Sequence, residues 1–166
     1  MSPTTIQAAT SADVAAIAAI YGQAVHAGVA TFDTVDPPHS YWRDKLLSTE
    51  PGDHTVVVKD AGAVVGYAYS YAFRPRPGYA RTRETSIYLA PAAVGCGLGR
   101  LTYSHLLALL RADRMHCAIA VVAQPNPASN ALHEALGYKL VGTLREVGRN
   151  FNRWIDTRWH QLLLEP

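Results

Sequence analysis

Residues 86–110 constrain this chain more than any other stretch. An extended apolar segment, Ser86-Ile87-Tyr88-Leu89-Ala90-Pro91, runs into a turn holding Gly95, Gly97 and Gly99, and then into a leucine-dense segment at helical spacing. A strand feeding a helix through glycines points to an α/β arrangement. It also leaves backbone N–H groups unpaired at the positive end of the helix, where glycines let a phosphate come close. The turn is therefore a candidate site for a pyrophosphate-bearing ligand. Its spacing is not the G-x-G-x-x-G of dinucleotide sites, and it lacks the Gly-Lys-Ser/Thr of a P-loop. Taken alone, the glycines fit equally well a tight turn that needs positive φ.

The rest of the chain alternates between the two periodicities. A short apolar segment ends near Ala9, and Thr10-Ser11-Ala12-Asp13 reads as a capping box. Val14, Ile17, Ala18, Tyr21, Ala24 and Val25 then follow at helical spacing, and Gly28 ends that helix. Turn residues fill 31–40, and 41–47 reads as a shorter helix. Residues 55–59 and 63–73 form a hairpin about Asp60-Ala61-Gly62, and a Pro/Gly/Arg loop at 74–78 leads to a strand at 84–89. A helix over 100–111 is followed by a fully apolar strand at 118–123, as a buried central strand requires. Asn126-Pro127 opens a helix over 128–136, which Gly137 closes. The alternating tail, 154–164, returns to the sheet. With no repeat, linker or low-complexity tract, residues 1–166 read as one mixed α/β domain.

Composition narrows the function classes. With 49% apolar and 17% charged residues the chain is globular rather than disordered. No apolar run approaches the roughly 20 residues of a membrane span. Met1-Ser2-Pro3-Thr4-Thr5 lacks the layout of a secretion signal, so the expected location is the cytoplasm, without a membrane partner. The two cysteines, Cys96 and Cys117, show neither a disulfide framework nor a metal spacing. The seven histidines are scattered, and no bound metal is expected. Net charge is only +2, and the four arginines within 74–83 are broken up by Pro75, Pro77 and Gly78. Such a loop suits a small anion better than a nucleic acid.

The segment from Ser86 to Pro91 and on through Gly97-Leu98-Gly99 resembles the acetyl-CoA motif of the GNAT superfamily of N-acetyltransferases. Residues 94–99 match its Q/R-x-x-G-x-G/A turn at Gly97 and Gly99 but place Val94 where Gln or Arg usually stands. Asn126-Pro-Ala-Ser129-Asn-Ala-Leu-His133-Glu-Ala-Leu-Gly137-Tyr138 resembles the second half of that site. Further strings narrow the likeness to the phosphinothricin acetyltransferase branch, over about residues 6–164: Ala30-Thr-Phe32-Asp-Thr34, Glu84-Thr-Ser-Ile-Tyr88, Gly142-Thr-Leu-Arg145 and Asn152-Arg-Trp154-Ile-Asp156.

The resemblance implies a GNAT fold, a central mixed β-sheet with helices on both faces, and acetyl-CoA as co-substrate. It places the donor against Ile87, Tyr88, Leu89, Gly95, Cys96, Gly97, Leu98, Gly99 and Arg100, with Asn126 and Ser129 beside the pantetheine chain. The same Asn126 suits an N-cap with Pro127 at the first helical position. The acceptor implied is the α-amino group of a small amino-acid analogue such as phosphinothricin, methionine sulfoximine or methionine sulfone. A homodimer is implied too, with Trp154, Asp156 and Trp159 in the core or at its interface.

An ammonium nucleophile must lose a proton before it attacks a thioester. Glu84 matches the family's proposed base. His133, where many GNAT enzymes carry Tyr, is the second candidate, as acid or base or simply as a core histidine bonded to a backbone carbonyl. Backbone N–H groups around Leu89 could stabilise the thioester oxygen. Cys96 lies in the phosphate turn, so direct transfer in a ternary complex is preferred to an acyl-cysteine. Arg74 and Arg76 suit a carboxylate or phosphinate, with Tyr79 and Phe32 as walls. Val35 and Arg83, near the presumed acceptor pocket, depart from the relatives. Transfer to a peptide N-terminus or a polyamine, and a CoA-binding sensor without transferase activity, stand as alternatives.

Overall fold

The computed structural model describes residues 3–164. In chain order the elements are β1 (Thr5–Ala8), α1 (Val14–Ala27), α2 (His39–Leu47), β2 (His54–Asp60), β3 (Ala63–Ala72), β4 (Thr82–Leu89), α3 (Leu98–Ala112), β5 (Cys117–Ala123), α4 (Pro127–Ala135), β6 (Lys139–Asn150) and β7 (Arg153–Leu163). The strands form one sheet in the order β1-β2-β3-β4-β5-β7-β6, and only the β4–β5 pair is parallel.

Local chemistry accounts for the junctions. The Asp13 carboxylate accepts from the Thr10 N–H (2.9 Å) and hydroxyl (3.0 Å), and one 3-10 turn over Ser11–Asp13 leads into α1. Ala61 and Gly62 take φ of 48° and 84°, the pair of positive values a tight two-residue hairpin needs. Asn126 caps α4 by accepting from the Ser129 N–H at 3.1 Å, and Gly137 at φ 91° ends the turn beyond it.

Helices cover both faces of the sheet. On one face Ile17, Ile20 and Trp42 of α1 and α2 pack on Val57, Tyr67 and Tyr69. On the other, Tyr103, Leu106 and Leu110 of α3 pack on Val56, Ala68 and Ala118. Val56, Val57 and Val58 are all fully buried, so β2 has no solvent face at its middle.

The sequence pattern did not reveal β6, the longest strand at 12 residues. Nearly all of it is exposed, and its register against β7 shifts between Leu140 and Gly142 and again between Leu144 and Gly148. Each slip resets the inward–outward alternation by which a strand is recognised. Among the described residues no helix is long and apolar enough to cross a membrane.

One topological feature creates the site. β4 and β5 pair only from Thr82↔Cys117 to Glu84↔Ile119. Beyond that point β4 continues along β3 to Leu89 while β5 follows β7 to Ala123, so the two strands diverge into an open V.

Candidate active site

The V opens into a cleft of about 670 Å³ bounded by β4, the 94–100 turn, α1 and α4. The three glycines of the turn serve different ends. Gly95 and Gly97 take φ of 82° and 78°, and a Cβ at either would meet nothing within 4 Å. They are required by the backbone and leave the space above them open. Gly99 has ordinary dihedrals, but a Cβ there would lie 3.3 Å from Leu89 Cδ1 and 3.5 Å from Leu132 Cδ2. It lets α3 sit close to β4 and α4. Because the first helical bond is Leu101 N–H to Gly97 O, the N–H groups of Leu98, Gly99 and Arg100 have no partner within the helix. The cleft thus ends on a positive helix terminus free to bind a phosphate.

The wall along β4 is itself an unpaired edge. The Phe73 N–H bonds Thr82 O and the Ala90 N–H bonds Val65 O, so the even-numbered residues of β4 turn their peptide groups to β3. Alternation then directs the peptide groups of Ile87 and Leu89 into the gap. Of the predicted donor-site residues, Ile87, Tyr88, Leu89, Gly95, Gly97, Gly99, Arg100, Asn126 and Ser129 all line the cleft. Cys96 and Leu98 do not. The Cys96 thiol turns toward the Ala92 and Val94 carbonyls, and Leu98 is half-buried. Val94 lines the mouth and is 55% exposed.

Glu84 stands at the last paired position of β4, the vertex of the V. It lies opposite Tyr71 on β3, so its side chain shares the α1/α2 face with a row of stacked rings, Tyr67, Tyr69 and Tyr71. Burial and the nearby Glu84 charge push the Tyr71 phenol well above its usual pKa. The Lys45 ammonium sits over the Tyr71 ring at 4.5 Å.

The other acceptor-side candidates are more dispersed. Arg74 and Arg76 are exposed in the loop joining β3 to β4, with the Arg74 guanidinium 4.9 Å from the Phe73 ring centre. Tyr79 meets the same ring edge-on at 5.6 Å. Phe32 seats on Gly148 of β6, where any Cβ would run into its ring. Its loop is tied down by Tyr21, whose hydroxyl lies 2.6 Å from both Thr31 and Asp33. One expectation needs correction. Arg83 is 4% exposed and faces away from the Glu84 side, its Nε 3.2 Å from Asp53 and its guanidinium donating to the Pro51, Ala80 and Thr82 carbonyls. It is a structural clasp and no part of an acceptor pocket. Trp154, expected in the core or at an interface, is 61% exposed, which excludes the core and leaves the interface reading.

His133 is buried at 3% exposure on the face opposite Glu84. Its Nδ1 lies 2.7 Å from the Ser129 carbonyl and its Nε2 3.1 Å from the Tyr103 hydroxyl. Tyr103 and Tyr138 in turn converge on Thr85 at 2.7 and 2.9 Å. Burial lowers the His133 pKa to about 4, so the ring is neutral at ordinary pH. Its one N–H goes to Ser129, leaving Nε2 as an acceptor. The ring also borders a cavity of about 50 Å³ between β4 and β5, below the main cleft. Glu84 and His133 therefore flank the vertex from opposite faces and are not a contacting pair.

One wall was missed from the sequence. Ile20, Gln23, Ala24 and Ala27 of α1, together with Gly28 and Ala30 beyond its end, line the cleft opposite the turn. The run of small residues at 24, 27, 28 and 30 was the available signal, since small side chains on a helix leave room for a ligand.

Comparison with known proteins bears on the whole chain. The acetyltransferase (GNAT) domain family matches residues 6–159. A phosphinothricin N-acetyltransferase of Streptomyces coelicolor is 40% identical over 153 residues, covering 90% of each chain. An L-methionine sulfoximine/L-methionine sulfone acetyltransferase of Salmonella typhimurium is 35% identical over 165 residues, 97% of this chain and 95% of its own. The fold superimposes with a TM-score of 0.92 on a GNAT superfamily phosphinothricin acetyltransferase from Sinorhizobium meliloti in complex with AcCoA, at 39% identity and covering 97% of this chain and 88% of that one. Since the match runs through every element that bounds the cleft, the chain belongs to the GNAT acetyltransferase family and is an N-acetyltransferase.

Proposed function

We propose that this protein, acting as a single domain, transfers the acetyl group of acetyl-CoA to the α-amino group of a small amino-acid analogue of the phosphinothricin, methionine sulfoximine or methionine sulfone type. The observation that carries the reading is the V between β4 and β5, with a phosphate-ready helix terminus at its mouth and a carboxylate at its vertex. The pyrophosphate binds the free N–H groups at the start of α3, and the pantetheine amides pair with the exposed peptide groups of β4. Asn126 and Ser129 flank that chain. Named relatives that act on these acceptors, and the AcCoA held by the Sinorhizobium meliloti structure, support the same assignment.

The transfer is direct. Glu84 takes a proton from the acceptor ammonium, itself or through a water, and the freed amine attacks the thioester carbonyl carbon. An N–C bond forms, the C–S bond breaks, and CoA leaves as the thiolate, which is then protonated. Backbone N–H groups of β4 around Leu89 stabilise the charge on the carbonyl oxygen. His133, neutral and bonded to Tyr103, is best suited to holding the Tyr103–Thr85 floor under the reacting groups. Arg74 and Arg76 receive an anionic group of the acceptor, with Tyr79 and Phe32 as walls. Cytoplasmic action as a homodimer completes the reading: hairpin β6–β7 exposes Val141, Leu144, Val147, Phe151 and Trp154, an apolar side that a second copy would cover.

The test is free-thiol release from acetyl-CoA with phosphinothricin, methionine sulfone, methionine sulfoximine, ordinary amino acids, a polyamine and a peptide as acceptors. Turnover confined to the first three, and lost in Glu84→Ala, is the expected result. Turnover with the peptide or polyamine alone would overturn the acceptor class, and acetyl-CoA binding without any turnover would replace a transferase with a sensor.

A further inference from the structure

Lys45, near the end of α2, is a cation for which the mechanism above has no use. Its Nζ lies 4.9, 4.8 and 4.5 Å from the ring centres of Tyr41, Tyr69 and Tyr71. The negative ring faces hold an ammonium there at a partial cost in hydration. Among the described residues, no carboxylate lies within ion-pair distance of it and no hydrogen bond is donated by it. Rings attract a cation but accept none of its three N–H bonds in the way an oxygen does, so its donors stay available. Burial lowers its pKa from the ordinary lysine value, while Asp53 and Glu84 act in the opposite sense. Lys45 is only partly buried, and Tyr41 beside it is 40% exposed.

Its position matters more than its charge. Tyr71 is the cross-strand neighbour of Glu84, so the caged ammonium shares the α1/α2 face with the carboxylate at the vertex of the V. In an α-amino acid the carboxylate is separated from the amine by a single carbon. A cation held close to the group that receives the amine is therefore placed for that carboxylate. The exposed Arg74 and Arg76, farther along the loop that joins β3 to β4, are left for the side-chain group.

We propose that Lys45 binds the α-carboxylate of the acceptor and so determines that this enzyme acts on α-amino acids rather than on plain amines. The inference rests on the acceptor class proposed above and deepens it. A charge-assisted hydrogen bond to a carboxylate contributes roughly 10- to 100-fold in affinity. The caged geometry also orients the amine toward Glu84, so part of the effect is expressed in kcat/KM.

The experiment compares phosphinothricin with its α-carboxamide, which keeps the amine and the phosphinate but loses the α-charge. Steady-state kcat and KM are measured for the wild type, Lys45→Met and Lys45→Arg, with thermal unfolding run in parallel. The wild type is expected to favour the acid over the amide by about 10- to 100-fold in kcat/KM. That ratio should fall to near one in Lys45→Met, mostly through KM of the acid, and recover in Lys45→Arg. A wild-type ratio near one overturns the proposal without recourse to any variant. So does a ratio that survives in Lys45→Met, or in Lys45→Gln should the methionine variant fail to fold. If the wild type turns over neither compound while still binding acetyl-CoA, the acceptor class proposed above fails for phosphinothricin and this inference falls with it.

Discussion

At the donor end of the cleft the groups offered to a ligand belong to the backbone: the free N–H groups of Leu98, Gly99 and Arg100 and the outward peptide edge of Ile87 and Leu89. At the proposed acceptor end they belong to side chains: Glu84 at the vertex, Lys45 over its tyrosine rings, and the arginines of the β3–β4 loop. The first end is held by the dihedrals of a few glycines and the divergence of two strands, and a change of side chain anywhere but at those glycines alters it little. The second depends on the identity of single residues. Family-wide chemistry can thus be kept by the fold while acceptor preference drifts, because the two are made of different parts of the polypeptide.

If the ends are separable in this way, Glu84→Gln should be the largest and cleanest single effect. Removing a general base costs roughly 10²- to 10⁴-fold in kcat. The donor end is untouched by the change, so KM for acetyl-CoA should stay within about twofold, the scatter expected when no interaction is removed. A KM for acetyl-CoA that rises in step with the fall in kcat would show that Glu84 also shapes the donor site, and the division would fail.

His133 lies beneath both ends and tests whether the floor is structural. Its folded pKa of about 4 is below the ordinary 6.5, because burial penalises the charged ring. The unfolded chain therefore binds the proton more readily, and stability falls as pH drops from 6.5 toward 4. Between pH 7.5 and 5 the loss from this group is about 2 kcal/mol. The stacked, buried His160 is shifted downward as well and adds in the same sense. Urea unfolding at the two pH values should show a smaller difference in His133→Asn than in the wild type. An equal difference would mean that the ring is solvated or charged in the folded protein, which would reopen a role for it as a proton donor.

The two ends were not equally legible in the sequence, and the reason is the same division. Gly95, Gly97, Asn126, Pro127 and Gly137 adopt conformations or make caps that few other residues favour, so each announces a local geometry that the structure contains. Lys45, Tyr41, Tyr69 and Tyr71 announce nothing. Tyrosine is an ordinary strand former and lysine an ordinary residue of a helix surface, and only the pairing of β3 with β4 and the seat of α2 bring them beside Glu84. Arg83 shows the converse error: one place along a strand from Glu84, it points to the other face, and proximity in sequence misassigned it. The bulged strand β6 was invisible because its period breaks twice.

A glycine substitution at the donor end should mirror the Glu84 result. Gly97 sits at φ 78° with open space where a Cβ would be, so Gly97→Ala introduces no clash and only a dihedral penalty. A left-handed conformation costs a non-glycine residue about 1–2 kcal/mol. If the turn relaxes to avoid it, the N–H groups tilt away from the phosphate and KM for acetyl-CoA rises about 5- to 30-fold. The KM of the acceptor should not move. A change confined to the acceptor would contradict the assignment of the turn.

The smallest expected effect addresses whether backbone alone suffices at the donor end. Val94 lines the mouth of the cleft and is 55% exposed, at the position where the acetyl-CoA motif that this segment resembles has Gln or Arg. An arginine there would add a cation close to the helix terminus and the phosphates, in a solvated setting worth about 0.3–1 kcal/mol. Val94→Arg should therefore lower KM for acetyl-CoA about two- to fivefold at low ionic strength. The gain should shrink as salt is raised, since an exposed pair is screened over a Debye length of about 8 Å at 0.15 M. Isothermal titration of CoA across a salt series separates the two contributions. A backbone cradle keeps most of its affinity in both proteins at high salt, whereas an arginine-dependent site would draw its affinity from the new charge and lose it there. If Val94→Arg tightens binding far more than this and the advantage persists in salt, then the N–H groups of α3 are not sufficient by themselves, and the donor end too would depend on one side chain.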